Sequence, residues 1–237
     1  MYGGYYGYGY YWDPTYFLVL VGLVLCLGAS ALVNSTMRKY SKVRNMRGLT
    51  GAEAARNILN REGLYNVQIE CLNSDDGDHY DPRTDTVRLS YNNFNGTSVT
   101  AVSVAAHECG HAVQHARAYA PLTMRSKLVP VVSFASNIMT WVLLGGILML
   151  NTFPQLLLAG IILFAMTTLF SFITLPVEIN ASKRALVWLS SSGITNARNH
   201  TQAEDALHSA AYTYVVAALG SLATLVYYIM IFMGRRE

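Results

Sequence analysis

Residues 129–150, VPVVSFASNIMTWVLLGGILML, and residues 156–175, LLLAGIILFAMTTLFSFITL, are two uncharged apolar runs separated by Asn151-Thr152-Phe153-Pro154-Gln155. A transmembrane helix needs roughly 20 predominantly apolar residues to cross a hydrocarbon core of about 30 Å. The stretch therefore reads as a helical hairpin in a bilayer. Residues 16–33 and 211–233 meet the same requirement. The expected fold is a mainly α membrane protein with four transmembrane helices, and the lipid bilayer is its first expected partner.

Composition agrees. Of 237 residues, 52% are hydrophobic and 13% charged, roughly half the charged fraction of a soluble globular protein. The net charge of +3 comes without a long basic run or basic helix stripe, which argues against nucleic acid as a partner. Cysteines at 26, 71 and 109 are odd in number and lack framework spacing, so reduced thiols are expected. The first apolar run lacks a basic segment before it and reads as a retained anchor rather than a signal peptide. Residues 1–15, rich in Gly and Tyr, form a low-complexity tail that cannot bury a core.

Positive charge orients the bundle. Residues 1–15 hold no Lys or Arg, whereas Arg38, Lys39, Lys42, Arg44 and Arg47 follow the first run closely. That bias places residues 34–128 in the cytoplasm and the N-terminus outside. Arg125 and Lys127 before the second run, and Lys183 and Arg184 after the third, keep both flanks of the hairpin inside, together with residues 176–210. A fourth span leaves Arg235, Arg236 and Glu237 outside, against the same rule.

Within 34–128, Thr50-Gly51-Ala52-Glu53 has capping-box spacing ahead of an apolar stripe at Ala54, Ala55, Ile58 and Leu59, predicting a helix over residues 51–62 stopped at Gly63. Residues 66–70 and 86–90 alternate apolar and polar around a turn-rich segment at 73–78 and predict a small antiparallel sheet. Thr97 or Ser98 can cap a helix reaching about Ala116.

That helix carries His107-Glu108-Cys109-Gly110-His111. Residues i and i+4 share a helix face, so both imidazoles can address one ion while Glu108, beside the first, acts as general base on a metal-activated water. The pattern points to one Zn2+ per chain and to hydrolysis. Gly110 permits another element to approach. A catalytic zinc normally takes three protein ligands. Topology favours Glu178, since the chain crosses the bilayer and returns between His111 and Glu178, and Pro176 suits the first turn of a new helix. His115 and His79 are alternatives for the ligand, and His79 is also a candidate to approach the substrate cleft. Tyr212 or Tyr214 could supply an oxyanion donor, and residues 87–90 are the expected sheet edge for a substrate strand.

The chain resembles the YugP-like neutral zinc metallopeptidases of bacterial membranes. The resemblance rests on Asp13-Pro14-Thr15-Tyr16, Ser41-Lys42-Val43-Arg44, Asp78-His79-Tyr80-Asp81-Pro82-Arg83, the segment 107–116 and Leu175-Pro176-Val177-Glu178. It implies a gluzincin-like site with His107, His111 and Glu178 as ligands and Glu108 as base, in a zincin-like α+β cytoplasmic domain. A more distant likeness is to HtpX-type membrane peptidases, where the Glu ligand is followed four residues later by Asp. Here that position is Ser182, and Asp78, Asp81 or a backbone carbonyl is expected to take over the orienting role. The implied activity is a membrane zinc endopeptidase with a protein or peptide substrate. The alternative is a non-catalytic zinc-binding scaffold, and either could form a homo-oligomer.

Overall fold

The structure is a computed structural model that describes residues 14–72 and 77–234, with side chains from residue 17 onward. The Gly/Tyr tract up to Asp13, the centre of the turn-rich segment at 73–76, and Arg235-Arg236-Glu237 lie outside the described residues.

Among the described residues, four helices are long and apolar enough to cross a membrane: α1 (Pro14–Tyr40), α5 (Ala120–Leu148), α6 (Pro154–Ser191) and α7 (Ala197–Gly234). They stand in a row, α5 against α6, α6 against α7, and α7 against α1, while α5 and α7 share no substantial contact. Small residues allow this. Gly146 lies so close to Leu157 that a Cβ would collide with the Leu157 backbone, and Gly22 faces Gly220 across α1 and α7. In lipid, close backbone approach replaces the hydrophobic effect as the source of helix association.

At 38 residues each, α6 and α7 are about 57 Å long, nearly twice the hydrocarbon thickness. The excess packs into a second core. There α2 (Gly51–Arg61), the sheet, α3 (Tyr91–Asn95) and α4 (Val99–Ala116) pack with the second half of α6 and the start of α7. Ile58, Leu59, Val87, Leu89, Val102, Val113, Leu189 and Ile194 are fully buried in it. The capping box at Thr50 and Glu53 is present in both directions, and Gly63 takes φ of 79° after the C-cap Glu62. Ser98, not Thr97, caps α4, its Oγ accepting from the Ala101 N–H at 3.1 Å.

Two expectations change. Pro176 lies inside the continuous helix α6 rather than at a helix start, so Glu178 is not held by a helix N-terminal dipole. The sheet is mixed, not antiparallel. Strands β1 (Gln68–Leu72), β2 (His79–Asp81) and β3 (Thr86–Ser90) are ordered β1-β3-β2, with β1 parallel and β2 antiparallel to β3. The segment between β1 and β3 is about as long as a parallel connection requires, and the short strand β2 within it forms the hairpin with β3. Strand β3 is therefore central. Residues 87–90 offer no free edge, and the edge nearest the metal motif is β2. Arg88 ties the three strands together, donating to Asp81 at 2.7 Å and to Glu70 at 3.1 Å.

Candidate metal centre

Helix α4 presents His107 and His111 one turn apart, their rings 4.8 Å between centroids and nearly perpendicular. Gly110 sets the distance to α6. A Cβ there would lie 2.9 Å from both Cα and O of Ala181, so only glycine lets the two helices approach this closely. Glu178 and Ser182, on either side of Ala181, are thereby brought to the two imidazoles. The Glu178 carboxylate, 3% exposed, lies 3.2 Å from His107 Nε2 and 3.6 Å from His111 Nε2. One donor atom from each of the three residues falls within a 4.8 Å cluster.

The other face of each imidazole is engaged. His107 Nδ1 meets Ser182 Oγ at 3.1 Å, and His111 Nδ1 meets Gln114 Oε1 at 3.1 Å. This corrects the expected substitute for the missing aspartate. The orienting group for His107 is Ser182 itself, and for His111 the fully buried Gln114, rather than Asp78 or Asp81. Asp78 instead accepts from the Ser90 backbone N–H and the Asn93 amide, each at 2.7 Å, and Asp81 binds Arg88.

Burial pushes the Glu108 carboxyl up, an effect opposed by the charges of His111 and His107. Burial also acts to raise Glu178, yet its hydrogen bonds with His107 and His111 hold it well below the usual carboxylate range. The Cys109 thiol is pushed up by burial and contacts the Ala55 carbonyl on the side away from the cleft, a poor setting for a nucleophile.

A cavity of about 300 Å³ opens beside Glu108, between β2 on one side and α5 on the other. His79, Tyr80 and Tyr214 line it, with Leu122, Arg125 and Val129 on the α5 wall. A second, more apolar cavity of about 190 Å³ lies on the other side of His107, again touching Tyr214. Tyr212 lines neither and is 49% exposed, so it is not placed to reach the reacting atoms. His79 reaches the first cavity, with Nδ1 at 2.8 Å from the Gly77 carbonyl. His115 is turned away from the centre and paired with Tyr80. Arg125, which the sequence reading assigned only to topology, donates to Glu178 Oε1 at 3.4 Å. A basic residue one turn ahead of a span, on the side where the motif must lie, is the signal that could have found it.

Four apolar helices among the described residues, and a half-buried His, His pair closed by the buried Glu178 beside a further glutamate, define a multi-pass membrane protein with a hydrolytic type of metal centre. The donor set fits zinc: His111 Nδ1 meets an amide oxygen and His107 Nδ1 a serine hydroxyl able to accept its proton, an arrangement in which both Nε2 lone pairs can serve the ion, and the third donor is a carboxylate on the same side. The chain belongs to the family described as "putative neutral zinc metallopeptidase", which matches residues 15–233. It is similar to the "putative membrane protease YugP" of Bacillus subtilis (strain 168), with 44% identity over 221 residues, 93% of this chain and 97% of the relative. No solved structure matches the chain.

Proposed function

We propose that this protein is a zinc-dependent endopeptidase working at the cytoplasmic face of the membrane, with one Zn2+ per chain held by His107, His111 and Glu178. The single observation that carries the reading is the convergence of those three donors on one point beside a buried Glu108. The soluble core then acts as a small zincin-like domain, with α4 as its active-site helix.

When bound, zinc supplies Lewis acidity that polarises the scissile carbonyl and makes water a competent nucleophile at neutral pH. Glu108 takes the proton from the attacking water and returns it to the leaving amine, and its burial suits a group that must carry a proton between the two events. The Tyr214 hydroxyl steadies the developing oxyanion, a role supported by its position on the wall of both cavities. Arg125, donating to Glu178 Oε1, helps to fix that carboxylate in position. A substrate in extended form adds to the free edge of β2, whose residues His79 and Tyr80 border the cavity. The positive flanks of the spans support a cytoplasmic site.

The alternative is a zinc-binding scaffold without catalysis. Glu108 speaks against it, since a structural site gains nothing from a buried carboxylate outside the ligand set. The test is zinc content and cleavage of unfolded casein by the detergent-solubilised protein. The wild type should bind one zinc and cleave. Glu108→Gln should keep zinc and lose activity at least a hundredfold, and Glu178→Ala should lose zinc. A wild type that binds zinc but behaves like Glu108→Gln would favour the scaffold.

A further inference from the structure

The two flanks of α5 differ in a way that lipid alone does not require. Leu122, Ser126 and Val129, which line the cavity at the metal centre, are continued by Ser133, Ser136 and Thr140. The spacing is four, three, four, three and four, so all six lie on one face of the helix. Within the apolar run, from Val129 to Thr140, this stripe extends about 17 Å along the axis, roughly half of a hydrocarbon core. The opposite flank is Val131, Phe134, Ile138 and Trp141, an ordinary lipid-facing surface.

Ser133, Ser136 and Thr140 are exposed, and none of their side chains hydrogen-bonds to any described residue. Polar side chains inside a span usually turn inward or bond back to their own helix. Those on α6 do so. Thr167, Ser171 and Thr174, on the face that carries Glu178, donate to the carbonyls of Phe164, Thr167 and Phe170. Helix α5 thus keeps a free row of hydrogen-bonding groups leading from the bilayer interior to the metal centre. Pro130 adds to it, because its missing N–H leaves the Ser126 carbonyl without its helical partner. Helix α7 does not close the space, since it meets α6 and α1 rather than α5.

We propose that the polar flank of α5 docks one transmembrane helix of a membrane-protein substrate, so that the stretch leaving the bilayer next to that helix crosses the metal centre. The inference rests on the peptidase reading and names its substrate class. Continuity decides the occupant: the stripe and the catalytic cavity share one wall, and Glu178 lies three residues beyond the end of the third apolar run. A helix seated there delivers its own juxtamembrane segment to Glu108, whereas a second copy of this chain would cover the mouth of the cleft.

The test uses full-length Glu108→Gln protein in phosphatidylethanolamine and phosphatidylglycerol vesicles. The probe has one Leu/Ala span of about 20 residues with a central Asn, joined to an unstructured casein-derived tail. A photo-cross-linking residue replaces Ser136 in one sample and Phe134 in the other. Cross-linking to the probe should be at least tenfold stronger from position 136. Equal yields from both flanks, or adducts made only between copies of this chain, would overturn the proposal.

In the active protein, the triple variant Ser133→Leu, Ser136→Leu, Thr140→Leu should cut the tethered probe at least fivefold more slowly and the free tail at the wild-type rate. Unchanged cleavage of both would sink the docking role. Failure of the peptidase reading would show separately, as a wild type that cuts neither form, with the cross-linking still deciding the groove.

Discussion

Gln114 fixes the tautomer of His111. Its amide nitrogen donates to the Val177 carbonyl at 2.9 Å and to the Asn180 side chain at 3.0 Å, so both N–H groups are used and the oxygen must be the atom facing His111 Nδ1 at 3.1 Å. An oxygen there requires Nδ1 to carry the proton, which leaves Nε2 free for a metal. Because Val177 flanks Glu178, one side chain also links the positions of two ligands on different helices.

Replacing Gln114 by Leu keeps the volume and removes these bonds. Orienting groups of this kind are worth roughly 10–100-fold in metal affinity, so Gln114→Leu should weaken zinc binding by about that factor, measured by competition with a chromogenic chelator. Affinity equal to wild type would mean that the contact to His111 is incidental.

The Gly110 and Ala181 contact yields a prediction about assembly of the site. A methyl at residue 110 must push α4 away from α6, and overpacking of this type costs about 1–3 kcal/mol. Gly110→Ala should lower the unfolding temperature in detergent and reduce zinc occupancy together. The compensating idea of shaving the other side is limited, because the atoms in the way belong to the Ala181 backbone as well as its side chain.

The motif and the four spans were legible in the sequence because their signals are local: an i, i+4 histidine pair, and runs of some 20 apolar residues. Glu178 could be reached because topology is a count of crossings. What escaped is non-local. Strand β2 is three residues long, too short for alternation to register, and without it β1 and β3 looked like hairpin partners. Ser182 and Gln114 carry no motif of their own, and their roles arise only when Gly110 lets α6 settle on α4. Arg125 had a sufficient reason to exist as a topological charge, which hid its bond to Glu178.

The sheet edge beside the cleft should be sensitive to acid. Arg88 holds the Asp81 carboxyl well below the usual carboxylate range, aided by the Arg83 backbone N–H. A depressed folded-state pKa means stability that is fully present above the unfolded value of about 3.9 and is lost as pH falls towards the folded one. The stability difference between wild type and Asp81→Asn should therefore be constant above about pH 5 and shrink below about pH 4, measured by thermal unfolding across that range. A difference that grows on acidification would contradict the sign of the shift.

Tyr214 touches both cavities on either side of His107, where a hydroxyl can follow the carbonyl oxygen as it gains charge. Removing one donor of this type costs roughly 10²–10³ in kcat, provided that it acts in the transition state and not in holding the metal. Tyr214→Phe should accordingly lower kcat on casein by about that factor while zinc content and KM stay near wild type. Tyr212→Phe, whose ring faces away from the cleft, should have no effect on any of the three. If the two variants behave alike, the oxyanion donor is another group, and Arg125, the cation already in reach of Glu178, becomes the residue to examine by the same split of kcat against KM.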